Sequence, residues 1–302
     1  MALIGDHVVR TWGVLGIPTS AAAHWPGLEK GPAALRGTGL VDQLRAAGSV
    51  VVDHGDLPVT RWVADRPDER PNSWRAATEV IADGRMAIGS VLAAGHHPLV
   101  LGGDCTLAVA LVAAALDHHA DVGLLYVDGG QDLMIPADHP REPILDAMGV
   151  AHLLDLPGCV PELADVGPRR PLLDPSSVAF VGYADDDEDL HGLATAAARF
   201  PAADVLHDPA GTAARALAAL DNERLVVHLD VDVLDALDLP VADIATYGTG
   251  LRLEHLTPLL AVLFDDPRVV GMTVVEANPD HDPDGTSVRR LVAALAQAVS
   301  PR

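Results

Sequence analysis

The sequence predicts an α/β protein built on a mostly parallel sheet with helices on both faces. Short β-rich runs alternate along the chain with Ala/Leu-rich stretches of helical period, the pattern of βαβ units. The strand-like runs are continuously apolar rather than alternating, as strands buried on both faces are. Four of these runs end in carboxylate or glycine punctuation, which is where an open parallel sheet forms its ligand crevice.

The elements follow in order. "SVVVDHGDLP" (49–58) reads as a strand leaving into an acidic turn. The stretch 73–95 has apolar residues at helical spacing and stops at Gly95. "HPLVLGGD" (97–104) is a strand that meets two glycines, and 105–119 is helical. "VGLLYVDGG" (122–130) is a strand. The segment 136–176, rich in Pro, Asp and Leu, reads as loops and short helices. Strands are expected at 177–184 and 203–208, and a helix at 209–221. "RLVVHLDVDVLD" (224–235) is a strand ending in three carboxylates. Helix at 252–265, strand at 269–279 and helix at 286–299 complete the chain. No internal repeat or low-complexity linker divides it, so a single domain over 1–302 is expected.

Composition narrows the function classes. A formal net charge of −23 argues against nucleic acid or an anionic membrane as partner, since both need basic patches. It suits a small cationic substrate, and also serves solubility. Two cysteines, Cys105 and Cys159, allow at most one bridge, which points to a reducing, cytoplasmic location. "MALIGDHVVR" lacks the pattern of a signal peptide, and no apolar run is long enough to span a bilayer.

The candidate chemistry lies in "GGDC" (102–105), "DGGQD" (128–132), "DVDVLD" (230–235) and "EANP" (276–279). These segments are distant in sequence, yet one sheet edge brings such strand ends together. On an extended strand residues i and i+2 share a face, so Asp230 and Asp232 point together. Burying two like carboxylates is costly unless a cation lies between them, and Asp oxygens suit Mg or Mn. Asp235 reads as a turn or cap residue. Asp104 has a plain alternative role as cap of the next helix. The acidic run 184–192 reads as a solvated loop. Among extra histidines, His139 lies seven residues past Asp132 and could reach back; His228, His54 and His281 are weaker candidates, and all four read first as packed or surface residues. Cys105, at a helix start, is either a buried structural thiol or a nucleophile of lowered pKa.

The ordered motif set resembles the arginase/agmatinase family of ureohydrolases. "GLEKGPAALRGTGL" (27–40), "VVDHGDL" (51–57) and "HDPDGTSVRRLVAAL" (281–295) resemble that family too, so the likeness runs from about residue 14 to 297. The resemblance implies a three-layer αβα sandwich, a trimeric or hexameric homo-oligomer, and two manganese ions that activate water for attack on a guanidinium carbon. The family's ligands come from a "GGDH" His, the Asp and His of "DAHxD" and the paired Asp of "DVDxxDP"; a Glu in "ExNP" holds the guanidinium. Asp128 and Asp132, Asp230 and Asp232, and Glu276 match these positions. Cys105 and Gly130 stand where the two ligand histidines are expected. Asp146 in "PILDAMGV" is the nearest counterpart of a further His of a "GNxHGxP" loop, and the "DP" after the third motif is broken.

The metal set implied is Asp128, Asp132, Asp230, Asp232 and Cys105, with Glu276 binding substrate. With both imidazoles gone, one manganese-class cation, two weakly held ones, or none are the outcomes left open. Three functions follow: a metal-dependent hydrolase of a guanidino or amidino C–N bond, an inactive homologue acting as ligand-binding or regulatory subunit, and a Cys105-dependent amidine transfer that lacks a visible base.

Overall fold

A computed structural model describes residues 10–65, 70–139, 143–184 and 188–301. Eight strands form one sheet: β1 Thr11–Gly16, β2 Val50–Asp56, β3 His97–Leu101, β4 Val122–Val127, β5 Val178–Val181, β6 Ala198–Phe200, β7 Arg224–Asp230 and β8 Val269–Val275. The spatial order is β2-β1-β3-β8-β7-β4-β5-β6, and every pairing is parallel. Ten helices connect the described strands: α1 Gly31–Gly37, α2 Leu40–Ala46, α3 Trp74–Ala93, α4 Leu107–His118, α5 Gly149–Leu153, α6 Pro161–Ala164, α7 Ala202–His207, α8 Pro209–Ala218, α9 Leu253–Asp265 and α10 Thr286–Ala298.

Two apolar cores lie on opposite faces of the sheet, as a three-layer αβα sandwich requires. The alternation of each central strand feeds both. Leu124 and Tyr126 of β4 enter the core under α3 and α4, while Leu125 and Val127 enter the core under α2, α8, α9 and α10. Helix α4 is buried from Leu107 to Leu116, which explains the uniformly apolar sequence of that stretch.

One strand expectation needs correction, and one strand goes unanticipated. "ADVLHD" (203–208) is not a strand; 202–207 is the helix α7. Its apolar pair is too short to fix a period, since Val205 is buried and Leu206 is exposed. Asp204 in its first turn and His207 in its last complement the helix dipole. Asp208 then caps α8, its Oδ1 accepting from Gly211 N at 2.9 Å. The strand of this region is β6, just before α7. The sequence also hides β1, because Gly13 and Gly16 dilute its strand signal. A Cβ on Gly13 would sit 2.4 Å from Val91 Cγ1, so this glycine lets α3 pack closely on the sheet.

Candidate functional site

The four central neighbours, β3, β8, β7 and β4, end side by side. Their carboxyl ends deliver the four motifs to one crevice, as anticipated. Tyr126 of β4 is in register with His228 of β7, and their rings stack at 4.4 Å with 7° between planes. Two residues further along each strand, on the same face, come Asp128 and Asp230. Cys105, in the turn before α4, covers that face. Its Sγ lies 2.7 Å from Asp230 Oδ2 and 4.0 Å from Asp128 Oδ2.

Asp232 reaches the crevice by another route than strand alternation. Val231–Val233 is a 3₁₀ turn in which Asp230 Oδ1 accepts from Asp232 N at 2.7 Å. Asp232 Oδ1 then accepts from Gly129 N at 2.9 Å, tying the β7 end to the β4 end. Asp132 sits at φ 49° and Glu276 at φ 64°, both in the left-handed region that non-glycine residues seldom adopt. Strain of this kind gathers at functional sites. Asp132 Oδ2 accepts the Tyr126 hydroxyl, and Glu276 N donates to Gly103 O at 2.7 Å. Glu276 is buried, and its Oε1 has no hydrogen-bond partner among the described residues. Asp146 Oδ1 accepts from Cys105 N at 2.6 Å, and donor atoms of Cys105, Asp146 and Glu276 lie within 4.8 Å of one another.

These groups border a cavity of about 540 Å³. Asp128, Asp132, Asp146, Glu188, Asp230, Asp232 and Glu276 line it: seven carboxylates, with no lysine or arginine among the described lining residues. Burial, followed by the neighbouring carboxylates, pushes Asp128, Asp132, Asp230 and Glu276 well above the usual acid range. Asp146 is raised to about 7 by burial and then by Asp104. So crowded a set ionises together only beside a cation. Burial and then Asp230 hold the Cys105 thiol far above its ordinary value, which disfavours a free thiolate nucleophile.

Two further residues of this region carry little signal in the sequence. His228 is fully buried, and its Nε2 has no hydrogen-bond partner among the described residues, although it lies 4.0 Å from Asp128 Oδ2. Donor atoms of Cys105, Asp128, His228 and Asp230 all fall within 4.8 Å of one another. The spacing of His228 and Asp230 was the available signal, but a histidine inside an apolar strand reads as core. The second is Glu188, from the acidic run whose residues 185–187 lie outside the described set. Its Oε2 accepts from Gln131 N at 3.0 Å. A Cβ on Gly130 would stand 3.0 Å from Glu188 Oε1, so this carboxylate crowds the space a side chain at 130 would use.

Other candidates fall elsewhere. His139 lines the cavity. His54 pairs with His96 at 3.2 Å, and His281 with Asp243 at 2.7 Å. Asp235 is the turn residue expected, its Oδ1 accepting from Leu237 N at 2.9 Å. Asp104 accepts from Ala22 N and from the hydroxyls of Thr19 and Thr106, anchoring the loop after β1; no side chain caps α4 at Thr106.

The donor set fits a divalent cation, because an unpartnered imidazole nitrogen, a thiol and two carboxylates converge. Comparison with known proteins bears on this arrangement. A sequence profile described as "Arginase family" matches residues 10–300. The chain belongs to the arginase family. It is 29% identical to human Arginase-1 over 304 residues, covering 94% of this chain and 89% of that protein. It is 26% identical to the arginase of Bacillus subtilis strain 168, covering 95% and 97%. The solved arginase from Bacillus caldovelox superposes with a TM-score of 0.86 at 22% identity, covering 97% and 99%. The proclavaminate amidino hydrolase of Streptomyces clavuligerus has the same fold, with a TM-score of 0.70 at 19% identity over 98% and 93%. Among the described residues no helix is long and apolar enough to cross a membrane, and Cys105 and Cys159 are both free.

Proposed function

We propose that this arginase-family chain is a metal-dependent hydrolase that cleaves a C–N bond in a small cationic guanidino or amidino compound. The observation that carries this is the cavity of seven carboxylates without a described lysine or arginine. Such a pocket is costly unless it holds cations, both as cofactor and as substrate. Asp128, Asp230 and Cys105 would hold the metal, with Asp132 and Asp232 lining the cavity beside it; manganese is the family's usual choice. A bound divalent cation supplies a Lewis acid and lowers the pKa of water. Glu276 turns its unpartnered Oε1 to a guanidinium N–H, a charge-assisted contact that fixes the reacting carbon. Asp146, held against Cys105 N and beside Glu276, is placed to handle the proton of the departing amine. Met134, Ile135, Ile144, Met148 and Ile244 also line the cavity and suit an aliphatic stem on the substrate.

The relatives named arginase and amidino hydrolase support this class of chemistry. The alternative, an inactive homologue serving as ligand-binding or regulatory subunit, rests on the two missing histidines alone; no observation of the fold or the relatives supports it. We further take residues 1–302 as one arginase-like domain of a homo-oligomer, trimer or hexamer by family resemblance, working in the reducing cytoplasm that two free cysteines suit. Elemental analysis of protein purified without chelator tests the reading, together with urea release from arginine, agmatine and guanidino acids. Bound metal with urea release is expected. Metal-free protein that releases no urea under any metal overturns it.

A further inference from the structure

We propose that the metal centre of this chain is rebuilt around a single cation held by His228 Nε2, Cys105 Sγ, Asp128 and Asp230, and that it selects a zinc-class ion over a manganese pair. This rests on the reading that the cavity holds a divalent cation, but not on any catalysis there. The four donor atoms lie within 4.8 Å of one another. Donors about 2.0–2.3 Å from a four-coordinate ion sit roughly 3.5 Å apart, so small side-chain adjustments suffice. The separations, 2.7 and 4.0 Å from Cys105 Sγ to the two carboxylates and 4.0 Å from His228 Nε2 to Asp128, bracket that spacing.

His228 has the makings of a ligand rather than of packing. Its Nδ1 is 2.8 Å from Thr273 Oγ1, and its ring is fixed against Tyr126. An Nδ1–H donated to Thr273 leaves the Nε2 lone pair facing the carboxylates, the arrangement by which an outer partner orients a ligating imidazole. A merely packed histidine would not leave Nε2 buried without a partner. On loading, the Cys105 S–H bond breaks, a sulfur–metal bond forms and the proton leaves to solvent.

The donor chemistry decides the ion. One nitrogen, one sulfur and two carboxylate oxygens suit zinc, whereas manganese prefers oxygens. Among the described residues, neither group of converging ligand atoms includes Asp132, Asp232 or Glu188, and Gly130 offers no side chain there.

The test uses the full chain, stripped with chelator and reloaded with zinc, cobalt(II) or manganese separately. One equivalent of cobalt is expected, with a sulfur-to-cobalt charge-transfer band in the near ultraviolet and intense visible bands of a four-coordinate ion. Zinc should displace it, and equimolar manganese should not. Cys105→Ser should remove the charge-transfer band. His228→Asn should weaken cobalt binding at least tenfold while keeping that band. X-ray absorption of zinc-loaded wild type needs no variant and should show one sulfur and one imidazole. An all-oxygen shell, two tightly bound manganese ions, or unchanged cobalt affinity in a folded His228→Asn protein overturns the proposal. Zinc bound as described without urea release sinks only the hydrolase reading; urea release with an all-oxygen shell sinks only this one.

Discussion

The two ends of the acidic cavity are furnished differently. At the Cys105 end the thiol meets His228, which stands one strand residue pair below Asp128 and Asp230 with an Nε2 that has no hydrogen-bond partner among the described residues. At the Gly130 end the chain offers no side chain, and the nearest group is the Glu188 carboxylate, itself bonded to Gln131 N. One end gathers nitrogen, sulfur and oxygen; the other gathers carboxylate oxygens. A missing ligand in a motif is therefore not the same as a missing ligand in space, because a neighbouring strand can supply it from a different depth.

The comparison can be broken by substitution. The largest effect is expected at Asp230, which bonds both Cys105 and the Asp232 turn. Asp230→Asn should lower metal affinity by about 100-fold or more, measured by competition with a chromogenic chelator, as loss of a buried charged ligand costs at least ~3 kcal/mol. Equal losses from Asp132→Asn would show that the two ends are equivalent after all. Next comes Glu276→Gln, expected to reduce kcat/KM for a guanidino substrate by roughly 10–100-fold through the lost charge-assisted contact, with metal stoichiometry unchanged. A parallel loss of metal would make Glu276 a ligand.

Restoring histidine at both ends sharpens the contrast. Cys105→His with Gly130→His should raise manganese affinity by roughly tenfold over wild type, a gain of about 1.4 kcal/mol read by titration. Gly130→His alone should gain less, since its Cβ must displace Glu188. The smallest effect concerns pH. Asp146 has a folded pKa raised from 3.8 to about 7, so it penalises the metal-free fold as pH rises through that window. Buried histidines such as His152, lowered to about 4, act in the opposite sense as pH falls, so the wild-type profile alone does not separate the two. Asp146→Asn keeps the acceptor for Cys105 N. Metal-free, it should be more stable than wild type by roughly 1–2 kcal/mol at pH 8, and the difference should vanish near pH 4. Denaturant melts at both pH values check this, and an advantage that persists at pH 4 would contradict the charge account.

Much of this was legible in the sequence, and the limits have physical causes. The buried strands β3, β4, β7 and β8 announced themselves by unbroken apolar runs, and their ends carried the carboxylates that the parallel order then gathered. β1 was obscured because its glycines serve close packing, which no propensity scale sees. The helix at 202–207 was misread because two apolar residues carry no period. In the site, the strand-end motifs carried Asp128 and Asp230, while the alternation expected to pair Asp230 with Asp232 did not hold. Asp232 arrived by a turn that only the Asp230 side chain's hydrogen bond to its backbone reveals. His228 and Glu188 were missed for opposite reasons: one sits in a run that looks like core, the other in a run that looks like solvent. Only the register of β7 against β4 places the former.

The most direct test is a crystal structure of the zinc-loaded protein with anomalous scattering collected at the metal edge. A single strong peak between Cys105, Asp128, His228 and Asp230 is the expected result. A peak confined to Asp132, Asp232 and Glu188, or none at all after loading, would contradict the account.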